Sequence, residues 1–249
     1  HFGVGHIFLA GEAPGLFYGY VTQGIVQKED ITENGIKYIK QDGSVGYYQT
    51  VNKTTPVAGD VKYVDRNGDG VVDTNDRTVI GNPFPDFTYG FQTKVSWKSL
   101  SLSASFNGVQ GRDILNVGNR YNNTPGTKSN NVTRKAFQNM WTDENPSNLY
   151  PKSTFVVQNM VMDRYVEDGS YLRCSDITLS YVLPAKWTNK IGIKNTSVYA
   201  SVKNAFVITD YSGYDPEVNS FAFDGLRPGV DMNSYPTPRS FVFGLNLTF

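Results

Sequence analysis

The sequence is short of nearly everything a catalytic centre is built from. Of 249 residues, one is cysteine (Cys174) and two are histidine (His1 and His6). That excludes an internal disulfide framework and leaves no His/Cys metal cluster. There is no GxSxG elbow and no phosphate-binding P-loop. Charge of one sign is also missing. Lys plus Arg and Asp plus Glu number 23 each, for a net charge of zero, and a general nucleic-acid binder would carry a basic excess. Charged residues make up only 18% of the chain, below the ~25% of an average soluble domain. No run of about 18 apolar residues exists, so no membrane-spanning helix is expected. A β-barrel crosses with strands and would not show one. Cys174 has no histidine near it and reads as structural; Asp163, Glu167 and Asp168 read as solvated loop acids. No enzyme is expected. The chain opens at His1 without a charged-then-apolar leader, and residues 2–9 resemble the middle or end of a strand, so a piece of a longer protein is expected.

What the sequence does have is aromatics, at 14%, glycine, at 24 residues, and alternation. In the last run, residues 239–249, Phe241, Phe243, Leu245, Leu247 and Phe249 share one parity, and Ser240, Val242, Gly244, Asn246 and Thr248 the other. A period of two is a β-strand with one apolar face. Its length of about eleven residues matches the roughly 9–11 of a tilted strand in a bilayer. By itself this run fits either a membrane barrel or an outer strand of a soluble sandwich.

Four further runs alternate. Phe87, Tyr89, Phe91, Val95 and Trp97 oppose Thr88, Gly90, Gln92, Lys94 and Ser96. Leu100, Leu102, Ala104 and Phe106 oppose Ser101, Ser103, Ser105 and Asn107, with only Lys98-Ser99 between these two runs, so a tight hairpin is expected. Residues 171–183 place Ile177, Leu179, Tyr181 and Leu183 on one face, and residues 196–208 place Val198, Ala200, Val202, Phe206 and Ile208. The nearly all-serine polar face leans towards a barrel, since a sandwich would show Lys, Glu and Thr to solvent. Connection lengths carry the decision. They alternate short and long, with residues 111–169 and 209–238 far beyond the ~4–6 residue median. Short periplasmic turns and long extracellular loops mark outer-membrane barrels. Trp97 and Trp187 then fall at the periplasmic rim, where aromatic girdles belong, and the C-terminus is periplasmic. Within 111–169, Asn131 is expected to cap a short helix bearing Val132, Ala136 and Met140 and ending near Trp141.

Residues 1–86 are rich in Gly, Tyr and turn residues and read as an irregular extracellular region, followed by five transmembrane strands in 87–249. Inside it lies the one recognisable ligand motif, residues 65–76, matching the calcium-loop spacing D-x-[DN]-x-D-G. Asp65, Asn67 and Asp69 take positions 1, 3 and 5. The Val71 carbonyl takes position 7, Asp73 position 9 and Asp76 position 12. An Asp where an EF-hand carries Glu is one methylene short, and no helical pattern flanks the loop. A structural Ca²⁺ is expected; a turn built of Asx residues without metal is the alternative.

The residues also resemble a known family, the SusC/RagA-type TonB-dependent transporters. The resemblance runs over nearly the whole chain. It rests on Gly19-Tyr20 with Gly24-Ile25-Val26, on Gly59-Asp60-Val61-Lys62-Tyr63-Val64-Asp65 entering the acidic loop, and on Asp76-Arg77-Thr78-Val79-Ile80-Gly81-Asn82-Pro83. It continues in Pro85-Asp86-Phe87-Thr88-Tyr89-Gly90-Phe91, Trp141-Thr142-Asp143-Glu144-Asn145-Pro146 and Tyr171-Leu172-Arg173. Tyr211-Ser212-Gly213-Tyr214-Asp215-Pro216-Glu217 and Tyr235-Pro236-Thr237-Pro238-Arg239 complete it. The resemblance implies the C-terminal strands of an antiparallel transmembrane barrel of about 22 strands in a Gram-negative outer membrane. It implies import of glycans or peptides, with a plug, a TonB connection, outer-membrane lipids and a SusD-like surface lipoprotein as partners. The terminal Phe249 resembles the signal read by barrel-assembly machinery. Aromatic loop residues Tyr211, Tyr214, Phe221 and Phe223 are candidates for stacking on substrate, with packing between loops as the alternative. The runner-up function is a secreted, calcium-stabilised β-sandwich that binds carbohydrate.

Overall fold

The computed structural model describes residues 5–124, 131–153, 160–188, 193 and 195–248. Two compact units emerge, both discontinuous in sequence. A loop unit comprises His1–Phe84, Asp113–Glu167 and Val218–Ser234; a strand unit comprises Pro85–Arg112, Asp168–Glu217 and Tyr235–Phe249. The expected division at residue 86 is therefore redrawn.

The strand unit is one antiparallel sheet of five long strands in chain order: β1 Phe87–Trp97, β2 Leu100–Gln110, β3 Tyr171–Val182, β4 Asn195–Thr209 and β5 Ser240–Thr248. The alternating runs are these strands. Trp97 pairs with Leu100, so Lys98-Ser99 is the whole turn, and Lys98 takes the left-handed φ of 53° that a two-residue hairpin requires. Register then sorts side chains into faces. Thr93, Ala104, Ile177, Val202 and Phe241 lie in one row across all five strands. Lys94, Ser103, Thr178, Ser201 and Val242 make the neighbouring row on the other face.

One irregularity preserves this sorting. Register shifts at Ser105/Phe106 against β3 and at Cys174/Asp176 against β4. Ser175 is the extra residue, and its hydroxyl donates to the Ser105 carbonyl at 3.1 Å. Asn204, sitting where alternation wants an apolar residue, absorbs the shift on β4 with a left-handed φ of 52°. The bulge lets Cys174 pair with Phe106 and Phe206, keeping the apolar face unbroken.

That face is bare. Val95 is 64% exposed, Phe241 65% and Phe243 79%, and Phe91 stacks on Phe106 with centroids 4.5 Å apart. A sandwich would bury these residues under a second sheet, so the sandwich alternative fails on burial. Trp97 and Trp187, both exposed, follow the same end of the sheet, Trp187 in the turn of helix Ala185–Thr188 just beyond β3. Phe249 and residues 1–4 lie outside the described residues, as do parts of both the 111–169 connection and the 184–193 turn.

The loop unit is made of short strands around a tyrosine-rich core. Phe17, Val26, Tyr38, Tyr48, Tyr63 and Val72 from its first segment pack with Leu115, Val117, Met160, Met162, Tyr165 and Val230 from the two long connections. Residues 113–116 pair in parallel with Val230–Asp231, a join between segments more than a hundred positions apart. Two hairpins join Ile31–Thr32, Gly35–Ile39 and Val45–Tyr48, turning at Glu33-Asn34 and at residues 40–44.

Among the described residues, two α-helices stand in the first long connection: α1 Val117–Asn123 and α2 Arg134–Asn139. The cap of α2 is Thr133, whose Oγ1 accepts the Ala136 N–H at 3.2 Å. Asn131, the expected cap, instead accepts from its neighbour Val132. The helix accordingly starts later than expected, and of its apolar stripe only Ala136 is buried. The cap of α1, Asn116, accepts from Asn119 at 2.8 Å; this helix has too little apolar periodicity to be expected from sequence.

Candidate functional site

The acidic loop belongs to the loop unit. Its turn is made by Gly68 and Gly70, with φ of 76° and 84°, values that favour glycine. Asp65 is buried, and its two carboxylate oxygens accept the Gly68 and Gly70 amides at 2.7 and 2.8 Å. Burial pushes the Asp65 carboxyl up, opposed by those two amides. Asp76, fully buried, closes the loop from the far end. Its Oδ1 accepts from Arg66 (2.7 Å) and Asn67 (3.3 Å), and its Oδ2 accepts from Asp73 (2.8 Å).

Asn67, Asp69 and Asp73 lie further out, each accepting an amide two residues ahead. Val71–Val72 pairs with Thr50–Val51. Tyr38, whose hydroxyl is pushed up to about 12 by burial, donates to the Asp65 carbonyl at 2.7 Å and so ties the loop to the core. The donor set is all oxygen, the chemistry a hard cation takes. The two end carboxylates are engaged with amides, and among the described residues no three His, Cys, Asp or Glu side chains converge closely enough to hold a metal.

The four candidate stacking residues divide. Tyr211 is buried at 5% exposure, its ring lying against Gly213. A ring packed in this way is not available to a substrate, which corrects the expectation for that residue. Tyr214, also in the strand unit, is 76% exposed. In the loop unit, Phe223 is 82% exposed and meets Phe221 edge-on at 6.2 Å. Phe221 is half-buried beneath the Arg227 guanidinium at 4.2 Å. Tyr235 is the most exposed of the large apolar side chains among the described residues.

A third cluster, in the strand unit, sits where β3 begins. Arg173, nearly fully buried, donates to Asp215 at 2.5 Å and pairs with Glu217 at 3.1 Å. Glu217 also accepts from the Tyr171 hydroxyl (2.6 Å) and the Asn107 amide (3.1 Å). Asp215 accepts backbone amides from Glu217 and Thr237, each at 3.0 Å, and Arg112 donates to the Pro216 carbonyl at 2.6 Å. The loop after β4 is thus pinned to β2 and β3 by charge-assisted bonds. Lower on the polar face, Asp176 accepts from Thr178 (2.7 Å) and Ser201 (2.9 Å) and pairs with Lys203 (2.9 Å).

Comparison with known proteins gives these geometries a family. The TonB-dependent receptor P26 of Formosa agariphila is 36% identical over 201 residues, covering 78% of this chain and 20% of the relative. Receptor P3 of the same organism is 33% identical over 98% of this chain and 23% of its own length. TonB-dependent receptor SusC of Bacteroides thetaiotaomicron is 34% identical over 75% of this chain and 17% of its own. Among solved structures, the RagAB peptide transporter superposes with a TM-score of 0.71 at 25% identity, over 99% of this chain and 24% of that one. The chain belongs to the SusC/RagA-type TonB-dependent receptors. No protein-family model matches it. It spans a quarter or less of the length of these relatives, and its five-strand sheet is a segment of the receptor barrel.

Two motifs that carry the family resemblance, Tyr171-Leu172-Arg173 and the run ending Tyr214-Asp215-Pro216-Glu217, are the two halves of the Arg173 cluster. They lie apart in the sequence, and no local pattern links an arginine to acids some forty positions later. The usable signal was chemical. Arg173 falls inside an alternating strand, and a charge there needs a partner.

Proposed function

We propose that this chain supplies five consecutive strands and their outer loops to a TonB-dependent importer in a Gram-negative outer membrane. In this reading the segment does no chemistry of its own. The apolar face of β1–β5 meets lipid, and the serine-rich face lines the lumen. Both edges of the sheet pair with strands from the rest of the receptor, because an open edge cannot face lipid. The observation that carries the proposal is the bare apolar face opposite a polar one, held in register across five strands. The C-terminus is periplasmic, and the long connections are outside. Cargo is peptide, as in the RagAB peptide transporter, or glycan, handed over by a SusD-like lipoprotein and drawn in by TonB acting on a plug. Tyr214, Phe223 and Tyr235 are exposed for contact with cargo or lid. The test is solubility and uptake. The receptor containing this chain should fractionate with outer membranes, be monodisperse only in detergent, and lose uptake without TonB. A form monodisperse in plain buffer overturns the proposal.

The residue 65–76 loop would take Ca²⁺ through Asp65, Asn67, Asp69, the Val71 carbonyl, Asp73 and Asp76. Support comes from the oxygen-only donors and the two left-handed glycines. The expected affinity is about 10⁻⁴–10⁻³ M. Calorimetry of the receptor should show Ca²⁺ binding that Asp69→Asn with Asp73→Asn removes. No heat in millimolar Ca²⁺ would mean that the loop is held by its own hydrogen bonds alone.

A further inference from the structure

The loop unit contains a cleft of about 450 Å³, lined by apolar side chains such as Leu115, Val117 and Met160 and by tyrosines Tyr18, Tyr20 and Tyr165. Arg77 and Arg120 are among its lining residues, and among the described residues none of the lining is acidic. The volume lies within the roughly 300–1,000 Å³ typical of small-ligand sites, and an apolar lining with a few polar groups is their usual make-up.

Both cations are set on aromatic faces. The Arg77 guanidinium carbon lies 5.6 Å from the centre of the Tyr18 ring, and that of Arg120 lies 5.4 Å from Tyr121. At Arg77, a guanidinium laid on a ring keeps its planar N–H edge for a bidentate acceptor. Arg77 uses Nε on the Thr74 carbonyl at 3.3 Å, and its two Nη groups have no protein partner among the described residues. Beside it, Asn52 holds a left-handed φ of 46° and turns its amide onto the Met160 sulfur at 3.3 Å, a weak acceptor that a ligand oxygen would replace with gain.

We propose that this cleft binds a carboxylate group of the imported cargo, with Arg77 as the principal clamp, Arg120 as the second cation and the tyrosines stacking on the body that carries the acid. The inference rests on the import reading and narrows its substrate to acidic cargo. A carboxylate can arrive on a uronic-acid glycan or on an acidic peptide, and the test separates them. Calorimetry on the intact receptor in detergent would use a uronic-acid tetrasaccharide and its neutral counterpart, then a Glu-containing pentapeptide and its Gln counterpart. One acidic probe should bind about tenfold or more tighter than its neutral partner, the winner naming the source. Arg77→Gln with Arg120→Gln should erase that preference. Arg77→Lys with Arg120→Lys, which keeps charge but not the fork, should retain part of it and guards against a folding artefact. Equal affinity for acidic and neutral probes, no binding of either acidic probe, or a preference that survives the Gln pair overturns the proposal. A receptor that imports without acidic preference sinks the pocket alone. One that never imports sinks the reading beneath it.

Discussion

Arg173 is the cation at the centre of the cluster that pins the loop after β4. It is buried, and its cation is matched by Asp215 and Glu217. Removing one partner of a buried pair leaves the other charge without compensation, at about 3–5 kcal/mol. Arg173→Ala should therefore lower the unfolding midpoint of the receptor strongly, and chemical denaturation followed by intrinsic fluorescence would read it. Asp215 adds a pH dependence. Burial works against its charge, but the Glu217 and Thr237 amides and the Arg173 guanidinium outweigh it, so its carboxyl is held below the usual range. A depressed acid contributes stability above its unfolded pKa and loses it as pH falls through the folded value. The wild type should hold the residue 210–217 loop above about pH 4 and release it progressively below. Asp215→Asn should flatten that acid limb, as limited proteolysis across pH would show.

Among the elements, the five strands have opposite requirements on their two faces. Phe243 is on the apolar face in line with Ala200 and Leu179, and Ser103 is on the polar one in line with Lys94 and Thr178. A Lys on the lipid side costs about 2–4 kcal/mol at the bilayer midplane and little in the lumen. Phe243→Lys should thus impair assembly while Ser103→Lys is tolerated, measured as heat-modifiable folded barrel on gels. In α2, Thr133→Ala should cost about 1 kcal/mol, the usual worth of an N-cap, and Asn131→Ala much less. Equal effects on stability would restore Asn131 as the cap. The strands were legible because alternation and a two-residue turn are local. The helix start was not, because Asn131 and Thr133 are both good caps and only the following backbone selects between them.

For the whole molecule, the long connections are structural members rather than free loops. Leu115 and Val230 are buried with Tyr48 and Tyr63 in one core. Leu115→Ala should cost about 2–5 kcal/mol, and its signature would be distant. Amide exchange should rise around Tyr48 and Tyr63 while β1–β5 stay protected. Exchange confined to residues near 115 would argue against a shared core.

The sequence by itself determined where the five long strands run, which residues share each face, and where the acidic loop turns. All of these follow from repeats and turns a few residues long. Tertiary structure alone decided that residues 113–167 and 218–234 fold with the first 84 and that Arg173 meets Asp215. It also decided that Tyr211 is packed away and that Arg77 and Arg120 line one cleft. These rest on pairings between distant segments, where loop closure and burial, not local periodicity, set the free energy.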